Sequence, residues 1–382
     1  MKKIFHIIKG FIIGSVTGIA LVLAACLLFT DITPARFFDI LAGEGLASVA
    51  VGCLLSFVAL AIAFVLHIIV HEGGHLVGGL LTGYRFVSFR IFSLTFLRRD
   101  GRYIMRRFNI PGTGGQCIML PPEGDAAKVP FVIYNAAGVA ANILLTATAV
   151  PYFFIHSADS GMFAFLLALF IVIAGLWTTI INGIPMKING MCNDAGNIRL
   201  MLRDMQVRRH FVLQLRAHAL CQNGMRPKDF PPEWFNIPDS GEEYGLINAV
   251  TDMFAVAREI DRADYSRAHT MLTAIRDRRP TLPDMYEKEI DCELAFTSLM
   301  LGYEDEARAL LTPDLTAYIR RTVSYSSSKP RLLCAIALHL EHDSQKAATI
   351  LRDTETQRDR YIMRGEAEAD ICAMRRMLDT TT

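Results

Sequence analysis

The chain has 382 residues, of which 52% are hydrophobic and only 20% are charged, whereas soluble proteins contain about 25% charged residues. The net charge of +1 is divided unevenly, because residues 1–190 contain 13 Lys and Arg against 8 Asp and Glu, and residues 191–382 contain 26 against 30. This composition excludes a fully soluble, a disordered and a collagen-like chain, and it argues against nucleic-acid binding because no strongly basic domain is present to neutralise phosphates.

The first predicted element is an N-terminal membrane span. Three lysines precede residues 10–30, a stretch of 21 residues without charge, and about 20 apolar residues suffice to cross a bilayer core. Residues 1–45 are therefore predicted to form a transmembrane helix and an outer loop. An alternative is a lipoprotein signal peptide, because Leu23-Ala24-Ala25-Cys26 is typical of such a cleavage site.

The second stretch, residues 45–84, has Glu72 as its one charged side chain. As a single helix its 40 residues would be about 60 Å long, so we expect it to protrude from the membrane, kink or break. A glutamate within such an apolar helix is costly and indicates a functional site.

This stretch contains the motif HExxH as His71-Glu72-Gly73-Gly74-His75. Positions i and i+4 share one face of a helix, so His71 and His75 are predicted to bind one metal ion. Glu72 would then take a proton from a water molecule at the open position of the metal. The alternative is that these side chains only bond neighbouring helices. His67, one turn earlier, is interpreted as a core histidine, with a partner of the metal ligands as the alternative.

A basic loop follows at residues 85–128, with eight Lys and Arg. Aromatic and β-branched residues at 86–96, the turn signal Asp100-Gly101 and a possible return strand at 102–110 predict a β-hairpin. A glycine-rich segment, residues 111–116, comes next.

Two further uncharged stretches, residues 129–155 and 160–186, are each long enough to span a membrane. Positive charge favours the cytoplasmic side. The chain start, the basic loop and everything after Met186 are therefore predicted to be cytoplasmic.

A catalytic zinc ion needs a third protein ligand and keeps one position for water. Asp194 is the one carboxylate between residues 182 and 197, and it is predicted to lie on the same side of the membrane as the HExxH motif. It could instead cap the helix that follows. Cys192 and Asn189 are the alternative ligands.

The C-terminal half is polar and helical in pattern. Residues 203–240 are predicted to be a linker, and residues 241–382 a cytosolic helical-repeat domain. Within this domain, Ala268, Ala307 and Ala347 recur at intervals of 39 and 40 residues, and the pattern resembles tetratricopeptide-like helix pairs. We interpret it as an adaptor or regulatory module; the alternative is a helical cap that stabilises the membrane core.

Three segments in order resemble the site-2 protease family of intramembrane zinc metalloproteases, peptidase family M50. The first is the HExxH motif, the second runs from Asn135 to Asn142 and resembles the family's AGPxxN-like segment, and the third is Asn182-Gly183-Ile184-Pro185 followed by Asn193-Asp194. The sequence differs from the family pattern at Val139, where proline is usual, and at Ala195, where glycine is usual.

This resemblance implies a mainly α-helical polytopic membrane protein. It would have about four transmembrane helices, a membrane-associated β-hairpin and the cytosolic repeat domain, with the protease core at residues 46–202 and the basic loop element at 83–128. The implied activity is that of a zinc endopeptidase. One Zn²⁺ would be held by His71, His75 and Asp194, with Glu72 as the catalytic residue.

The resemblance also implies roles in substrate binding. Asn142 or Asn135 would donate a hydrogen bond to the developing oxyanion, and Asn182 would hold an unwound substrate helix. Gly114 and Gly115 would lie along the cleft, where the β element holds substrate by strand addition. Alternatively, the hairpin lies on anionic lipid headgroups.

The expected partners are a membrane-protein or peptide substrate, membrane lipid and a cytosolic protein bound by the helical repeats, with no nucleic acid. The expected location is a bacterial plasma membrane, with both termini cytoplasmic. The alternative function is a catalytically silent membrane scaffold that binds its partners through the repeats.

Overall fold

The computed structural model describes residues 43, 45–99, 101–108, 114–155, 161–188, 191–238, 244–278 and 282–380. This part of the chain is mainly helical, with a small antiparallel sheet. The predicted span at residues 10–30 and the predicted signal sequence around Cys26 lie outside the described residues. Phe64–Pro151 and Ile171–Thr382 belong to one compact unit, and the start of the first long helix and residues 152–170 belong to another.

Among the described residues, three helices are long and apolar enough to cross a membrane. They are α1 (Gly45–Leu81), α2 (Phe131–Ala149) and α4 (Met162–Gly183), and the short α3 (Tyr152–Ile155) follows α2. Helix α1 is continuous over its 37 residues, about 55 Å at 1.5 Å per residue. It therefore exceeds the thickness of a bilayer core without breaking.

Helix α1 packs closely on α2 because glycines lie at the contact. A Cβ atom added at Gly74 would lie 2.3 Å from the carbonyl oxygen of Ala137, and one added at Gly78 would lie 2.5 Å from Ala137 Cβ. Small residues allow helix backbones to approach in this way. The contact places the HExxH turn of α1 directly against α2.

The basic loop forms a four-stranded antiparallel sheet. Its strands are β1 (Arg85–Ile91), β2 (Leu94–Arg99), β3 (Arg102–Arg107) and β4 (Gly115–Leu120), in the order β3-β2-β1-β4. The predicted hairpin is confirmed for β2 and β3, which pair around Gly101. The strand expected at residues 86–96 is instead two strands, because the chain turns at Phe92, whose φ is 50°.

The expected glycine-rich segment is partly a strand, since β4 begins at Gly115 and pairs with β1. Residues 109–113 and Asp100 lie outside the described residues. Strand β4 is at one end of the sheet order, so only one of its edges is paired within the described sheet.

After α4 the chain forms a two-stranded ribbon and two helices. These are β5 (Lys187–Ile188), β6 (Met191–Cys192), α5 (Asp194–Arg203) and α6 (Met205–Gln222). The segment expected to be a linker thus contains α6, an 18-residue helix. Its Val212 is fully buried with Cys117 and Met119 of β4, because one apolar face of the otherwise polar helix covers the sheet.

The remaining helices follow two turns of 3₁₀ helix at Pro227–Asp229 and Pro232–Phe235. They are α7 (Leu246–Asp261), α8 (Tyr265–Arg278), α9 (Asp284–Met300), α10 (Glu304–Leu310), α11 (Pro313–Thr322), α12 (Ser328–His339), α13 (Ser344–Gln357) and α14 (Arg364–Asp379). The three spaced alanines lie in α8, α10 and α13, and each is fully buried.

The turns before these three helices share a backbone feature. Ala263, Gly302 and His342 have φ angles of 62°, 78° and 52°, at the same intervals as the buried alanines. The left-handed region favours glycine, so two non-glycine residues here show that the turn geometry is imposed by the helix pairs.

Buried charges join α9, α12 and α14. Arg331 is bonded to Glu293 and donates to Asp370 at 2.8 Å, and Lys329 donates to Glu289 at 2.6 Å. Each cation is buried, so removal of one partner would leave an unpaired charge in the core.

Candidate metal centre

Two histidines of α1 and an aspartate of α5 meet at one point. His71 Nε2 lies 3.1 Å from Asp194 Oδ2, and His75 Nε2 lies 3.5 Å from the same oxygen. The two Nε2 atoms are 3.1 Å apart. The three potential ligand atoms all lie within 4.8 Å of one another.

Asp194 reaches the histidines because its neighbour caps the helix. Asn193 Oδ1 accepts a hydrogen bond from the Gly196 amide at 2.8 Å, and Asn193 Nδ2 donates to the Ile184 carbonyl at 2.6 Å. Asn193 is therefore the N-cap of α5, and Asp194 is the first residue of the helix. The alternative that Asp194 is the cap is thus wrong. Asn193 is not among the predicted site residues, although asparagine is a favoured N-cap residue.

The three side chains suit a cation. Asp194 Oδ2 is buried, and no donor among the described residues is aligned to hydrogen-bond it. An ionised carboxylate and two imidazoles form a ligand set typical of catalytic zinc, with a fourth position for water.

The His75 ring is oriented by a backbone carbonyl. His75 Nδ1 lies 2.7 Å from the Tyr134 carbonyl oxygen, and because a carbonyl can only accept, His75 Nδ1 carries the proton. In the neutral ring, Nε2 then presents a lone pair towards Asp194.

The His71 ring contacts a polar chain that crosses three helices. Its Nδ1 lies 3.2 Å from Asn142 Nδ2, and Asn142 Oδ1 lies 3.1 Å from His67 Nδ1. His67 Nε2 lies 2.9 Å from the Ile171 carbonyl oxygen of α4. His67 is a buried histidine, as expected, but it is also linked to a metal-ligand candidate through Asn142.

Gly138 of α2 leaves space for the two imidazoles. A Cβ atom added at this position would lie 2.6 Å from His75 Nε2 and 2.8 Å from His71 Cε1. Any larger residue would therefore collide with both rings. The small residues in this part of α2 thus clear the space at the site.

Glu72 lies against the start of β4. A Cβ atom added at Gly115 would lie 2.6 Å from Glu72 Cγ, and one added at Gly114 would lie 3.1 Å from Ile68 Cδ1. The missing side chains let the strand backbone approach the glutamate. The structure thus brings both predicted glycines to the HExxH helix.

A buried arginine that sequence analysis did not select lies near Glu72. Arg90 of β1 is only 1% exposed and donates to the Phe92 carbonyl at 2.8 Å. Burial lowers the pKa of its guanidinium group, and the negative charge of Glu72 opposes that shift. The sequence feature that could have identified Arg90 is its inward position on a predicted strand.

Other predicted residues are not brought into this cluster. Asn135 Nδ2 donates to the Phe131 carbonyl at 2.8 Å, and Asn182 Nδ2 donates to the Thr178 carbonyl at 3.2 Å, each within its own helix. Cys192 pairs with Lys187 in the ribbon, and the ligand group found among the described residues contains Asp194 instead. The other alternative ligand, Asn189, lies outside the described residues.

No protein-family model, curated protein or solved structure matches this chain. The interpretation of the site therefore rests on its own residues.

Proposed function

We propose that this chain is a membrane-embedded zinc metalloprotease that hydrolyses peptide bonds in or near transmembrane segments of membrane proteins or peptides. The observation that carries the proposal is the convergence of His71, His75 and Asp194 on one point, with Glu72 beside them. All but Asp194 belong to a helix that is apolar enough to cross a membrane.

The proposed chemistry divides between the ion and the chain. Zn²⁺ held by the three side chains would polarise the scissile carbonyl and lower the pKa of water. Glu72 accepts the proton of the attacking water and passes it to the leaving amine. The buried Asp194 carboxylate balances the positive charge of the ion, and the apolar walls of the helices limit access of bulk water.

Strand β4 is the proposed substrate support. A transmembrane helix must unwind before its backbone can be cut, and an extended segment could then pair with the outer edge of β4. Gly115 supports this role because it brings the strand backbone beside Glu72. The oxyanion roles predicted for Asn135 and the substrate role predicted for Asn182 stay predictions.

The sheet would also contact lipid. Phe96, Tyr103 and Met105 are strongly exposed on β2 and β3, and exposed arginines such as Arg98 and Arg107 lie beside them. Aromatic side chains next to basic ones favour the interface of an anionic bilayer. We propose that this face rests on the cytoplasmic leaflet.

The finer topology is also proposed. The chain would cross a plasma membrane several times, with both termini in the cytoplasm, and helices α7–α14 would form a tetratricopeptide-like cytosolic module that binds a protein partner. The three helix pairs with their buried alanines support a repeat. The salt bridge of 3.2 Å between Arg99 of β2 and Asp359 would couple this module to the proposed substrate support.

The test uses Glu72→Gln, which keeps the size of the side chain but removes its basicity. Membranes from cells that express the wild-type or the variant chain would be compared by mass spectrometry of new protein N-termini. Glu123→Gln is the matched control, because Glu123 is a strongly exposed carboxylate. We expect Glu72→Gln alone to abolish cleavage while purified protein keeps one zinc ion.

Zinc analysis of Asp194→Ala tests the ligand set, and we expect the variant to lose the ion. If Glu72→Gln leaves all cleavage products in place, the enzyme proposal fails and the silent scaffold is favoured. If Asp194→Ala keeps a full zinc content, the third ligand lies elsewhere.

A further inference from the structure

We propose that Asn142 and His67 are positioning residues of the metal centre, which together hold the proton of His71 on Nδ1 and so direct its Nε2 lone pair at the ion. This inference rests on the zinc site proposed above. It assigns Asn142 a different role from the oxyanion donor expected from the sequence.

The far end of the polar chain is a backbone carbonyl of α4. The Ile171 carbonyl oxygen, 2.9 Å from His67 Nε2, can only accept, so His67 Nε2 carries a proton. His67 is fully buried. A second proton on its Nδ1 would create a buried imidazolium, and among its described hydrogen-bond partners, Asn142 and Ile171, no anion would compensate the charge. In the neutral ring, His67 Nδ1 is therefore an acceptor.

The side-chain amide of Asn142, which is 1% exposed, lies between His67 and His71. An acceptor at His67 Nδ1 requires the NH₂ group of Asn142 on that side, which a half-turn of the amide provides without moving any other atom. The amide oxygen then faces His71 Nδ1, at the position 3.2 Å away. Because this oxygen can only accept, His71 carries its proton on Nδ1.

The two candidate histidine ligands are then held in the same way. His75 has its Nδ1 proton fixed by the Tyr134 carbonyl at 2.7 Å, and His71 has its Nδ1 proton fixed by Asn142. Both neutral rings then present only lone pairs at Nε2, beside the Asp194 carboxylate. Three acceptors that face one point without a proton between them require a cation, which is the state a metal site needs.

Small residues make this chain of contacts possible. A Cβ atom added at Gly175 of α4 would lie 2.8 Å from His67 Cε1 and would collide with Thr146 of α2. Gly175 is one turn from Ile171, so its missing side chain lets the Ile171 carbonyl reach the histidine. Thr146 Oγ1 in turn donates to the Asn142 carbonyl at 2.8 Å, which keeps that side of α2 polar.

The test measures zinc affinity of the purified full-length chain in detergent, by competition with a chromophoric chelator. Asn142→Leu and His67→Leu break the polar chain at two points. Asn142→Asp keeps an acceptor for His71, and His67→Gln keeps a donor for the Ile171 carbonyl. Thr148→Val is the control, because Thr148 is also a polar residue of α2 but donates only to the Leu145 carbonyl of its own helix. We expect both leucine variants to bind Zn²⁺ about 10- to 100-fold more weakly, and the conservative and control variants to stay near wild type.

If the wild-type chain binds one zinc ion and either leucine variant binds zinc equally tightly, the positioning role of Asn142 and His67 is refuted. A wild-type chain that binds no zinc refutes the proposed function, and the inference falls with it. Loss of cleavage by Asn142→Leu at wild-type zinc affinity would instead support an oxyanion donor and reject the positioning role.

A spectroscopic measurement tests the position of the His71 proton even if a leucine variant does not fold. In the Co²⁺-loaded wild-type chain, imidazole protons close to the ion give strongly shifted proton NMR signals. Two exchangeable signals of this kind are expected, one from Nδ1–H of His71 and one from Nδ1–H of His75. A single exchangeable signal would show that only one of the two imidazoles binds the ion through Nε2, which contradicts the proposal.

Discussion

Gly138→Ala should abolish metal binding at the proposed site while leaving the fold in place. The added Cβ would lie 2.6 Å from His75 Nε2, whereas an ordinary contact needs about 3.5 Å, so the ring must move by about 0.9 Å. Ligand distances in a working metal site hold to within about 0.2 Å. His71 is displaced as well, since its Cε1 lies 2.8 Å from the same point.

We therefore expect the Zn²⁺ affinity of the variant to fall by more than about 100-fold. This loss is larger than that expected when a hydrogen bond to a metal ligand is removed. Alanine is favoured over glycine within a helix by about 1 kcal/mol. This gain offsets part of the strain, so the metal-free variant should stay folded. The assay is chelator competition together with thermal unfolding in detergent.

Gly73→Ala is the matched control for this experiment. It lies inside the HExxH motif, but a Cβ atom there meets no other atom within 4 Å, so zinc affinity should be unchanged. If Gly138→Ala binds zinc as tightly as Gly73→Ala does, the imidazoles do not face Gly138 and the geometry of the proposed site is refuted.

Three further predictions concern stability and positioning. Asn193→Ala should cost about 1 kcal/mol through loss of the N-cap and weaken zinc binding by displacing Asp194; an unchanged zinc affinity would show that the cap does not position the ligand. Burial, and then the charge of Asp370, raise the pKa of Glu366 from 4.5 to about 8; the folded state thus holds an extra proton between these pH values, so the melting temperature should fall as pH rises from 4.5 to 8. Glu366→Gln should flatten this fall, and a slope equal to that of wild type would contradict the assignment. Gly302→Ala should cost about 1 kcal/mol because of its left-handed backbone, whereas His342→Gly should stabilise by less than about 1 kcal/mol. A higher melting temperature for Gly302→Ala, or a lower one for His342→Gly, would reject the shared turn geometry.

Several features of the site could be predicted from the sequence because they depend on local periodicity. The spacing of His71 and His75 places both rings on one face of any helix, and uncharged stretches of more than 18 residues indicate helices that can cross a membrane. The choice of Asp194 needed only that it is the one carboxylate between residues 182 and 197, directly after the last span. The interval of the buried alanines likewise indicated helix pairs before any contact was known.

Other features depend on contacts between segments that are far apart in the sequence. Asn142 meets His67 across 75 positions, and His67 meets the Ile171 carbonyl across 104, so no local pattern distinguishes Asn142 from Asn135. The break at Phe92, which divides one expected strand into two, is likewise set by pairing with neighbouring strands.

The amino-acid sequence by itself determined which side chains can bind a metal and which helices can cross a membrane, because residue type and helical period are properties of one segment. Only the tertiary structure decided that Asn193 caps α5, which lets the Asp194 side chain face the histidines. It also decided that Gly138 and Gly115 leave space around the site and that Asn142 faces two histidines. These outcomes depend on how closely two backbones approach, and that distance is set jointly by all the side chains packed between them.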